Sequence, residues 1–417
     1  MGMTLVEKIF ANKLNLKSVK AGEVHITPID YILGTDITVP LSVKIFEENG
    51  FTQIKDTDKL VFINDHFVPA KDIQSAELAK TMREFAQKHD IKHYFELGQS
   101  GICHVTLPEK GFVTPGAIII GADSHTCTYG GMGAFATGIG SSDMTAAWVT
   151  GELWLKIPES IKIELKGALN KWVSGKDVIL YLLSVLGPDG ANYKSLEFVG
   201  DGVTGLSIDE RLTICNMAIE AGAKSGIMEP DEKVKSYLKS IGQYGGVYLK
   251  GDADAIYSEV IELNLDEIVP YVSEPYDPSN TYPVTKYIGT KIDQIVIGSC
   301  TNGRYSDFKV AYDILKGNKV KPNCRLILIP GSPLVLKELA DNNMLQAFIE
   351  AGAVIGPSTC GPCIGGHMGI LANGEVGLYT TNRNFAGRNG AKNSKVYLCS
   401  PAIAAISAIN GCISSIN

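Results

Sequence analysis

Three cysteines in the C-terminal part of the chain have the spacing of a metal or redox site. Cys360 and Cys363 form a Cys-x-x-Cys pair, and Cys300 lies in the earlier segment GSCTNG. A single Cys-x-x-Cys motif is used for structural zinc, for thiol–disulfide exchange and for iron–sulfur clusters. A structural zinc site usually has a second close pair, which this sequence lacks. The glycines and Pro362 let the backbone approach a bulky inorganic core. This favours a cluster, with zinc and redox roles left as alternatives.

Three thiolate ligands on a four-iron cluster would leave one iron without a protein ligand. Such an iron is open to substrate and can act as a Lewis acid. The chain has nine cysteines, an odd number, and 417 residues. In a reducing compartment we expect such cysteines to be buried thiols, ligands or catalytic groups rather than disulfides.

Three of the seven histidines stand in polar segments at the ends of predicted strands or turns. His66 follows Asp65, His125 belongs to the segment GADSHT, and His104 ends the turn GICH. Taken singly, each is most simply a surface or core imidazole. Acid–base catalysis requires imidazoles whose tautomer is fixed by a carboxylate. The three together therefore indicate an acid–base site.

The segment TTNRNFAGR (380–388) supplies two guanidinium groups and two amides directly after a predicted strand. Guanidinium forks bind carboxylates in a bidentate manner, so Arg383 and Arg388 suit a di- or tricarboxylic acid. A salt bridge at a helix start or a domain interface is the alternative interpretation.

Short β-branched runs alternate with helical patterns, and the candidate residues stand in the loops after those runs. Alternation of this kind predicts an α/β fold with mainly parallel sheets, whose carboxyl edges bind ligands. Helical spacing is predicted over 307–315 and 334–351, and an amphipathic helix is predicted near the N-terminus. Buried strands are predicted at 59–64, 117–121, 293–298, 325–330, 376–380 and 396–399.

The length of the chain predicts several domains, because one hydrophobic core rarely serves so many residues. We predict three α/β/α domains around a central cluster-binding cleft. Domain 1 (1–128) carries the acid–base histidines and can interleave with domain 2 (129–288). Domain 3 (289–417) carries the cysteines and the arginine segment. The segment 250–287 has no clear period and is interpreted as the connection into domain 3.

Composition argues against two classes of partner. The formal net charge is −7, and no block of lysine and arginine or basic amphipathic helix is visible, so nucleic acid and anionic membranes are not expected partners. No apolar run reaches the roughly 18–20 residues that span a bilayer. The N-terminal segment does not resemble a signal peptide, and we expect a cytoplasmic protein.

Six motifs together resemble the aconitase superfamily, in the expected order and across nearly the whole chain. The length and the end after VYLCSPAIAAISAI resemble the members whose large subunit is a separate chain; fused members carry a further swivelling domain. The motifs are GADSHT (121–126), GAFATGIGSSD (133–143), ICNMAIEAGAKSG (214–226), IGSCTNGR (297–304), CGPCIG (360–365) and TTNRNFAGR (380–388).

The resemblance implies a hydro-lyase that isomerises a malate-type hydroxy acid by removing and re-adding water. The expected substrate is isopropylmalate, in leucine biosynthesis, because this is the commonest use of a split large subunit. Homoaconitate and 2,3-dimethylmalate or other methylmalate-type acids are the alternatives. A cluster-sensing RNA-binding protein is an alternative of another class, and the acidic composition argues against it.

The resemblance also implies roles for individual residues. Cys300, Cys360 and Cys363 would hold a 4Fe–4S cluster with one open iron. Asp65 and His66 would form the pair that protonates the departing hydroxyl. The proton on the adjacent carbon would be removed by a serine of the swivelling domain, which here would be a separate small subunit.

The remaining motif residues would surround the substrate and the cluster. His104, Asp123 and His125 would lie near the open iron and its water, with Glu220 orienting a histidine. The other implied roles are substrate binding by Ser124, Arg383 and Arg388, and hydrogen bonding around the cluster by Asn216, Asn302 and Asn382.

One motif departs from the family pattern. Related large subunits read His-Asp-x-Thr-x-Pro near the N-terminus, and this chain has Thr35 in place of the histidine, with Asp36 and Thr38 retained. If that loop touches substrate, the replacement bears on substrate choice and leaves the cluster and the acid pair unaffected.

Overall fold

Strands and helices alternate along the chain in the computed structural model, which describes residues 2–416. The strands are β1 (Val24–Pro28), β2 (Tyr31–Thr35), β3 (Leu60–Ile63), β4 (His93–Phe95), β5 (Ile118–Gly121), β6 (Phe135–Gly138), β7 (Glu152–Lys156), β8 (Ser160–Lys166), β9 (Ser195–Val199), β10 (Ser225–Met228), β11 (Glu259–Asn264), β12 (Tyr271–Ser273), β13 (Thr281–Pro283), β14 (Gln294–Gly298), β15 (Arg325–Ile329), β16 (Val354–Ile355), β17 (Val376–Tyr379) and β18 (Lys395–Cys399).

The helices lie mostly between strands. None of them, within residues 2–416, combines the length and apolar character needed to cross a membrane. They are α1 (Leu5–Lys13), α2 (Val39–Glu48), α3 (Ile73–Lys88), α4 (Cys103–Glu109), α5 (Ser141–Thr150), α6 (Gly175–Leu186), α7 (Asp201–Gly205), α8 (Ile208–Asn216), α9 (Glu232–Ser240), α10 (Ser299–Asn302), α11 (Tyr305–Leu315), α12 (Pro333–Asp341), α13 (Met344–Ala351) and α14 (Pro401–Asn410). Short 3-10 helices include Ser124–Met132, Met217–Ala221 and Gly361–Ile364.

Three sheets form the framework. Sheet 1 has the strand order β4-β3-β2-β5-β6 and sheet 2 the order β10-β9-β8-β11, and every pairing in both sheets is parallel. Sheet 3 has the order β13-β12-β18-β17-β14-β15-β16, with β12 antiparallel to both neighbours and the other pairings parallel. Strands β1 and β7 form a separate antiparallel ribbon.

The central strands are apolar because helices cover both faces of a parallel sheet. Every residue of β3 (LVFI), β5 (IIIG) and β14 (QIVIG) is buried. Behind sheet 1, Phe62 stacks into an aromatic group with Phe85 and Trp148, and all three rings are buried. These strands are therefore rigid supports for the loops that follow them.

The predicted class, α/β with mainly parallel sheets, is confirmed, and all six predicted strands are present within one or two residues at each end. The domain boundaries stay a prediction. Sheet 1 extends past residue 128 to β6, and sheet 3 begins before residue 289, at β12. The sheets therefore do not change at the predicted boundaries.

Two local expectations are corrected. The segment 250–287 is not merely a connection, because it contains β11, β12 and β13. Strand β11 lies at the edge of sheet 2 and leaves Val260 55% exposed, so its sequence lacks a buried period. The helical stretch 334–351 is two helices, since Asn343 adopts a left-handed conformation (φ 58°) between α12 and α13.

The 3-10 helix Ser124–Met132 packs directly against β10, and Gly130 makes this possible. A Cβ atom on Gly130 would lie 1.7 Å from the Gly226 carbonyl oxygen of β10. Backbone atoms cannot move aside as a flexible side chain can. The loop that begins at Ser124 is thus held at a fixed distance from sheet 2.

We therefore expect Gly130→Ala to lower the free energy of unfolding by about 3 kcal/mol, because overpacking at a backbone contact forces the loop away from β10. Chemical denaturation of the purified chain measures this change. Gly205→Ala is the matched control, because a Cβ there meets nothing within 4 Å. Equal stability of the two variants would contradict the close approach.

Candidate active site

The candidate residues of sheets 1 and 3 follow the carboxyl ends of parallel strands. Asp65 and His66 come just after β3, Asp123 after β5, Cys300 after β14 and Asn382 after β17. Ligands of open α/β sheets bind at this edge. The two edges meet, because the Cys360 amide donates to the Asp65 carbonyl oxygen at 2.7 Å. Residues of α8 and the following 3-10 helix complete the site from sheet 2.

A buried carboxylate organises the loop after β3. Asp36 is 2% exposed and accepts hydrogen bonds from three successive backbone amides, those of Asp65 (3.0 Å), His66 (2.9 Å) and Phe67 (2.8 Å). Three charge-assisted bonds of this kind fix a loop more firmly than side-chain packing alone. The retained aspartate of the TDIT segment therefore holds the backbone of Asp65 and His66.

The Asp65 and His66 side chains form a hydrogen-bonded pair. One Asp65 oxygen contacts His66 Nδ1, and the other accepts the backbone amide of Cys103 at 3.0 Å. Both side chains are buried. Because Nδ1 is engaged, Nε2 is the ring atom left to face the site, and it lies 3.7 Å from Asp123 Oδ2.

The electrostatic environment keeps His66 protonated. Burial by itself lowers the pKa of this imidazole, but the neighbouring carboxylates of Asp65, Asp36 and Asp123 outweigh burial and raise it to about 10. Burial likewise raises the pKa of the Asp36 carboxyl. His66 is thus a proton donor at neutral pH, as a general acid must be.

Asp123 joins two histidines. Its Oδ1 contacts His104 Nε2 at 2.8 Å and accepts the backbone amide of His125 at 2.8 Å. The other nitrogen of His104 is 3.0 Å from the Tyr129 hydroxyl. Burial raises the pKa of the Asp123 carboxyl, but the neighbouring His104 and His125 lower it by more. The resulting pKa lies well below the usual value. Asp123 is therefore a carboxylate.

A second carboxylate, Glu220, orients the third histidine. Its Oε1 lies 2.8 Å from His125 Nε2, and Arg383 Nε donates to both of its oxygens at 2.8 and 2.9 Å. Burial raises the pKa of Glu220, but His125 and Arg383 outweigh burial and lower it. His125, Glu220 and Arg383 are therefore linked by hydrogen bonds from the loop after β5 to the loop after β17.

Two of the three predicted thiols, Cys300 and Cys363, contact side-chain amides. Asn216 and Asn382 each donate to Cys300 Sγ at 3.2 Å, and the Cys363 thiol lies 3.0 Å from the side-chain oxygen of Asn382. All three thiols are buried and free. Amides that hydrogen-bond to sulfur are typical of the surroundings of iron–sulfur clusters.

The ionisation of the thiols is uneven. The hydrogen bond between Cys360 and Cys363 raises the pKa of Cys360 and lowers that of Cys363. Burial raises the pKa of Cys300, and the nearby Cys363 adds to the effect. A metal that replaces these protons would therefore release them on binding.

A compact set of possible metal ligands lies beside the thiols but does not include them. Among residues 2–416, the only three ligating side chains with donor atoms all within 4.8 Å of one another are Asp36, Asp65 and His66. Those atoms already bond to each other and to backbone amides. These three groups are therefore engaged within the protein, and the cysteines remain the candidate ligands for a metal centre.

Not every predicted side chain faces the thiols in the same way. Arg388 Nε donates to the backbone carbonyl of Cys363 at 3.0 Å, so it borders the site. The Asn302 amide instead donates to Asp307 at 2.8 Å, and no hydrogen bond joins it to a thiol among the described residues. Ser124 lies at the opposite border, where it lines a cavity of about 640 Å³.

In the loop that departs from the family pattern, the side chains of Thr35 and Thr38 contact each other. The Thr35 hydroxyl lies 3.1 Å from that of Thr38, and Thr35 is 1% exposed. Thr35 is the last residue of β2, one position before Asp36. The replacement therefore lies beside the loop-organising carboxylate and does not alter its three amide contacts.

Three contributors were not predicted in these roles. Asp36 was noted only as a retained motif residue, and Tyr129 carried no signal beyond its place after GADSHT. Lys176 on α6 is fully buried and donates to the Thr380 and Thr381 carbonyl oxygens at 3.0 and 2.5 Å. A lone lysine in the apolar helix GKDVILYLLSVL was the available signal.

Comparison with known proteins agrees with this geometry. The family model described as the aconitase family (aconitate hydratase) matches residues 7–290 and 285–411. Aconitase X from Thermococcus kodakaraensis has a similar fold, with a TM-score of 0.51 at 12% sequence identity, covering 91% of this chain and 89% of that one.

Relatives of much higher identity extend over the full chain. The 3-isopropylmalate dehydratase large subunits of Thermoanaerobacter sp. (strain X514) and Caldanaerobacter subterraneus are each 54% identical over 415 residues, covering 100% of this chain and 99% of the relative. That of Clostridium kluyveri is 51% identical with the same coverage. Since the family model and these relatives span nearly every residue, the chain belongs to the aconitase family.

Proposed function

We propose that this chain is the large subunit of an isopropylmalate hydro-lyase, which interconverts 2- and 3-isopropylmalate by dehydration and rehydration. The observation that carries the proposal is the meeting of a proton-donating Asp65–His66 pair with three buried thiols at one sheet edge. Full-length identity of 51–54% to large subunits named for this substrate supports the choice of isopropylmalate over homoaconitate or dimethylmalate.

Cys300, Cys360 and Cys363 would hold a 4Fe–4S cluster, with Asn216 and Asn382 hydrogen-bonding its sulfur ligands. The bound cluster would supply a Lewis-acidic iron for the substrate hydroxyl and carboxylate. The buried thiols fit this group, because side-chain amides of Asn216 and Asn382 contact Cys300 and Cys363.

His66 would hold the proton that the leaving hydroxyl needs. Its Nδ1 is fixed by Asp65, and its Nε2 faces Asp123 across 3.7 Å. In the reverse direction the same nitrogen would take a proton from water. Asp36 fixes the backbone on both sides of the pair, so the donor keeps its position through both half-reactions.

His104, His125 and Asp123 would orient the hydroxyl and the water that replaces it. Substrate carboxylates would bind to Ser124, Arg383 and Arg388, which border the site on two sides. Glu220 holds Arg383 by its Nε edge, so the terminal nitrogens remain for a carboxylate.

Removal of the proton from the adjacent carbon requires a base, and we propose that a separate small subunit brings it. The large-subunit names of the relatives support a two-chain enzyme. The described carboxylates around His66 are already engaged in hydrogen bonds to histidines, an arginine or backbone amides. They would be poor bases for a carbon acid.

Single serine substitutions at Cys300, Cys360 or Cys363 should abolish stable cluster binding. Each substitution leaves only two of the three proposed cysteine ligands. Iron and sulfide content and the visible absorption of the anaerobically reconstituted chain measure this. Cys324→Ser is the control, since Cys324 is half-buried and lies outside the site. Full iron content in all three variants would refute the ligand assignment.

The raised pKa of His66 predicts a pH-dependent stability. An unperturbed histidine titrates near 6.5, so between about pH 6.5 and 10 the folded chain binds this proton and the unfolded chain does not. The contribution of the ion pair is fully present below pH 6.5 and is lost as pH rises through 10.

Asp65→Asn removes the main partner and should flatten this dependence. We expect wild type to have a higher free energy of unfolding than the variant at low pH. This difference should shrink by up to about 1.4 kcal/mol per pH unit as pH rises from about 6.5 to 10. Denaturation of the cluster-free chain from pH 6 to 10 measures it. Glu23→Gln, which changes the exposed His25 pair, is the control. Parallel pH profiles of wild type and Asp65→Asn would contradict the assignment.

The purified large chain with its cluster should turn over isopropylmalate only when the cognate small subunit is added, because the proposed base belongs to that subunit. The ultraviolet absorbance of the unsaturated intermediate follows the reaction, and homocitrate and 2,3-dimethylmalate serve as comparison substrates. Full activity of the lone chain would overturn the two-chain proposal, and preference for a comparison substrate would overturn the choice of isopropylmalate.

A further inference from the structure

The β1–β7 ribbon carries an apolar surface on its outer face. Val24 and Ile26 of β1 are each 58% exposed, and Trp154 of β7 is 57% exposed. Ile26 and Trp154 are paired directly across the ribbon. The alternate residues Thr27 and Leu153 are buried, so the ribbon packs on the protein by its other face. We call the Val24, Ile26 and Trp154 surface the ribbon face.

Adjacent apolar side chains this exposed usually mark a binding surface. A two-stranded ribbon normally turns polar residues outward, as antiparallel sheets with one solvated face do. Here the outward positions include a tryptophan, a residue type over-represented among the strongest contacts of protein interfaces. The ribbon face is thus built for contact with another surface.

The ribbon face borders a cavity that shares Ser124 with the candidate active site. Trp154 and Ser124, which is one residue from Asp123, both line the cavity of about 640 Å³. The same cavity is bordered by Gly138 at the end of β6 and by Ile219, one residue before Glu220. A surface that covered the ribbon face would therefore also close the opening beside the substrate-binding serine.

Two lysines give this opening a positive border. Lys156 and Lys224 hold their ammonium groups 5.4 and 4.9 Å from the Tyr193 ring, and all three residues line the cavity. Asp143 is the carboxylate among the lining residues. A second copy of this chain packed by a twofold axis would place like charges together, which is unfavourable.

We propose that the small subunit docks on the ribbon face and on the Lys156–Lys224 border, with an apolar patch flanked by acidic side chains. This inference rests on the proposed function, because it identifies where the base-supplying partner binds. Docking there brings the partner to the Ser124 end of the site while the Asp65–His66 pair stays covered by this chain.

Trp154→Ala should weaken binding of the cognate small subunit at least about 30-fold, the loss expected for a central interface tryptophan. Ile26→Glu combined with Trp154→Glu should abolish binding at micromolar concentration. Isothermal titration of the two purified chains measures both. Ile349→Glu is the matched control, because Ile349 is 62% exposed on α13, away from the cavity. Cluster absorption and thermal unfolding confirm that each variant is folded.

The outcomes separate this inference from the proposed function. If the wild-type chain does not bind the small subunit, the two-chain function itself fails. If wild type and both ribbon variants bind equally well, the function stands and the docking surface is wrong. If the variants lose self-association but keep the small subunit, the occupant is a second copy and the inference is overturned.

Charge gives an independent readout. Lys156→Glu combined with Lys224→Glu should slow association several-fold at low ionic strength and little at high salt, because border charges act mainly on the rate of encounter. Lys337→Glu combined with Lys309→Glu, on helices of sheet 3, keeps the same net charge change and should leave the rate unchanged. Equal rates in the two double variants would refute the acidic partner surface.

Discussion

The hydrogen bond from the Cys360 amide to the Asp65 carbonyl oxygen fastens the two halves of the site together. It joins the loop after β3 of sheet 1 to the thiol segment of sheet 3. Thr359 reinforces the joint, since its hydroxyl donates to the carbonyls of Asp65 (2.8 Å) and His66 (3.1 Å). Because both partners at the Cys360–Asp65 contact are backbone atoms, the proton donor and the thiols keep their separation whatever the surrounding side chains do.

Charge balance is the second constraint on this buried site. Four carboxylates, those of Asp36, Asp65, Asp123 and Glu220, lie beside three histidines and Arg383, and each acid contacts a base or several amides. An unpaired charge at this depth would be costly. The pairing explains why His66 keeps its proton while Asp123 gives one up, although both are buried. Donor and acceptor roles thus follow from the arrangement of neighbours.

The sequence predicted the class of fold because parallel strands buried on both faces have a continuous apolar signal, as in β5 and β14. It predicted the location of the site because ligands collect where such strands end. Edge strands were missed: β11 exposes Val260 and has no buried period. The break between α12 and α13 was missed because it depends on one residue, Asn343, in a left-handed conformation.

Within the site, the resemblance named the motif residues and a few pairings, such as Asp65 with His66, but not the contacts between distant loops. That Asp36 binds three amides, or that Asn302 turns toward Asp307, depends on how loops distant in sequence are folded together. No local pattern contains that information. Sequence spacing indicated that three thiols belong together, while only coordinates showed that Asn216 and Asn382 both reach Cys300.

Lys176 couples the position of α6 to that of the loop after β17. Its ammonium group ties α6 to the carbonyls of Thr380 and Thr381, and the next two residues are Asn382, at the thiols, and Arg383, at Glu220. The amide and the guanidinium are therefore anchored to one point behind sheet 3. A tilt of α6 would therefore move both side chains together, so the Asn382 contact with the thiols and the Arg383 contact with Glu220 would shift in step.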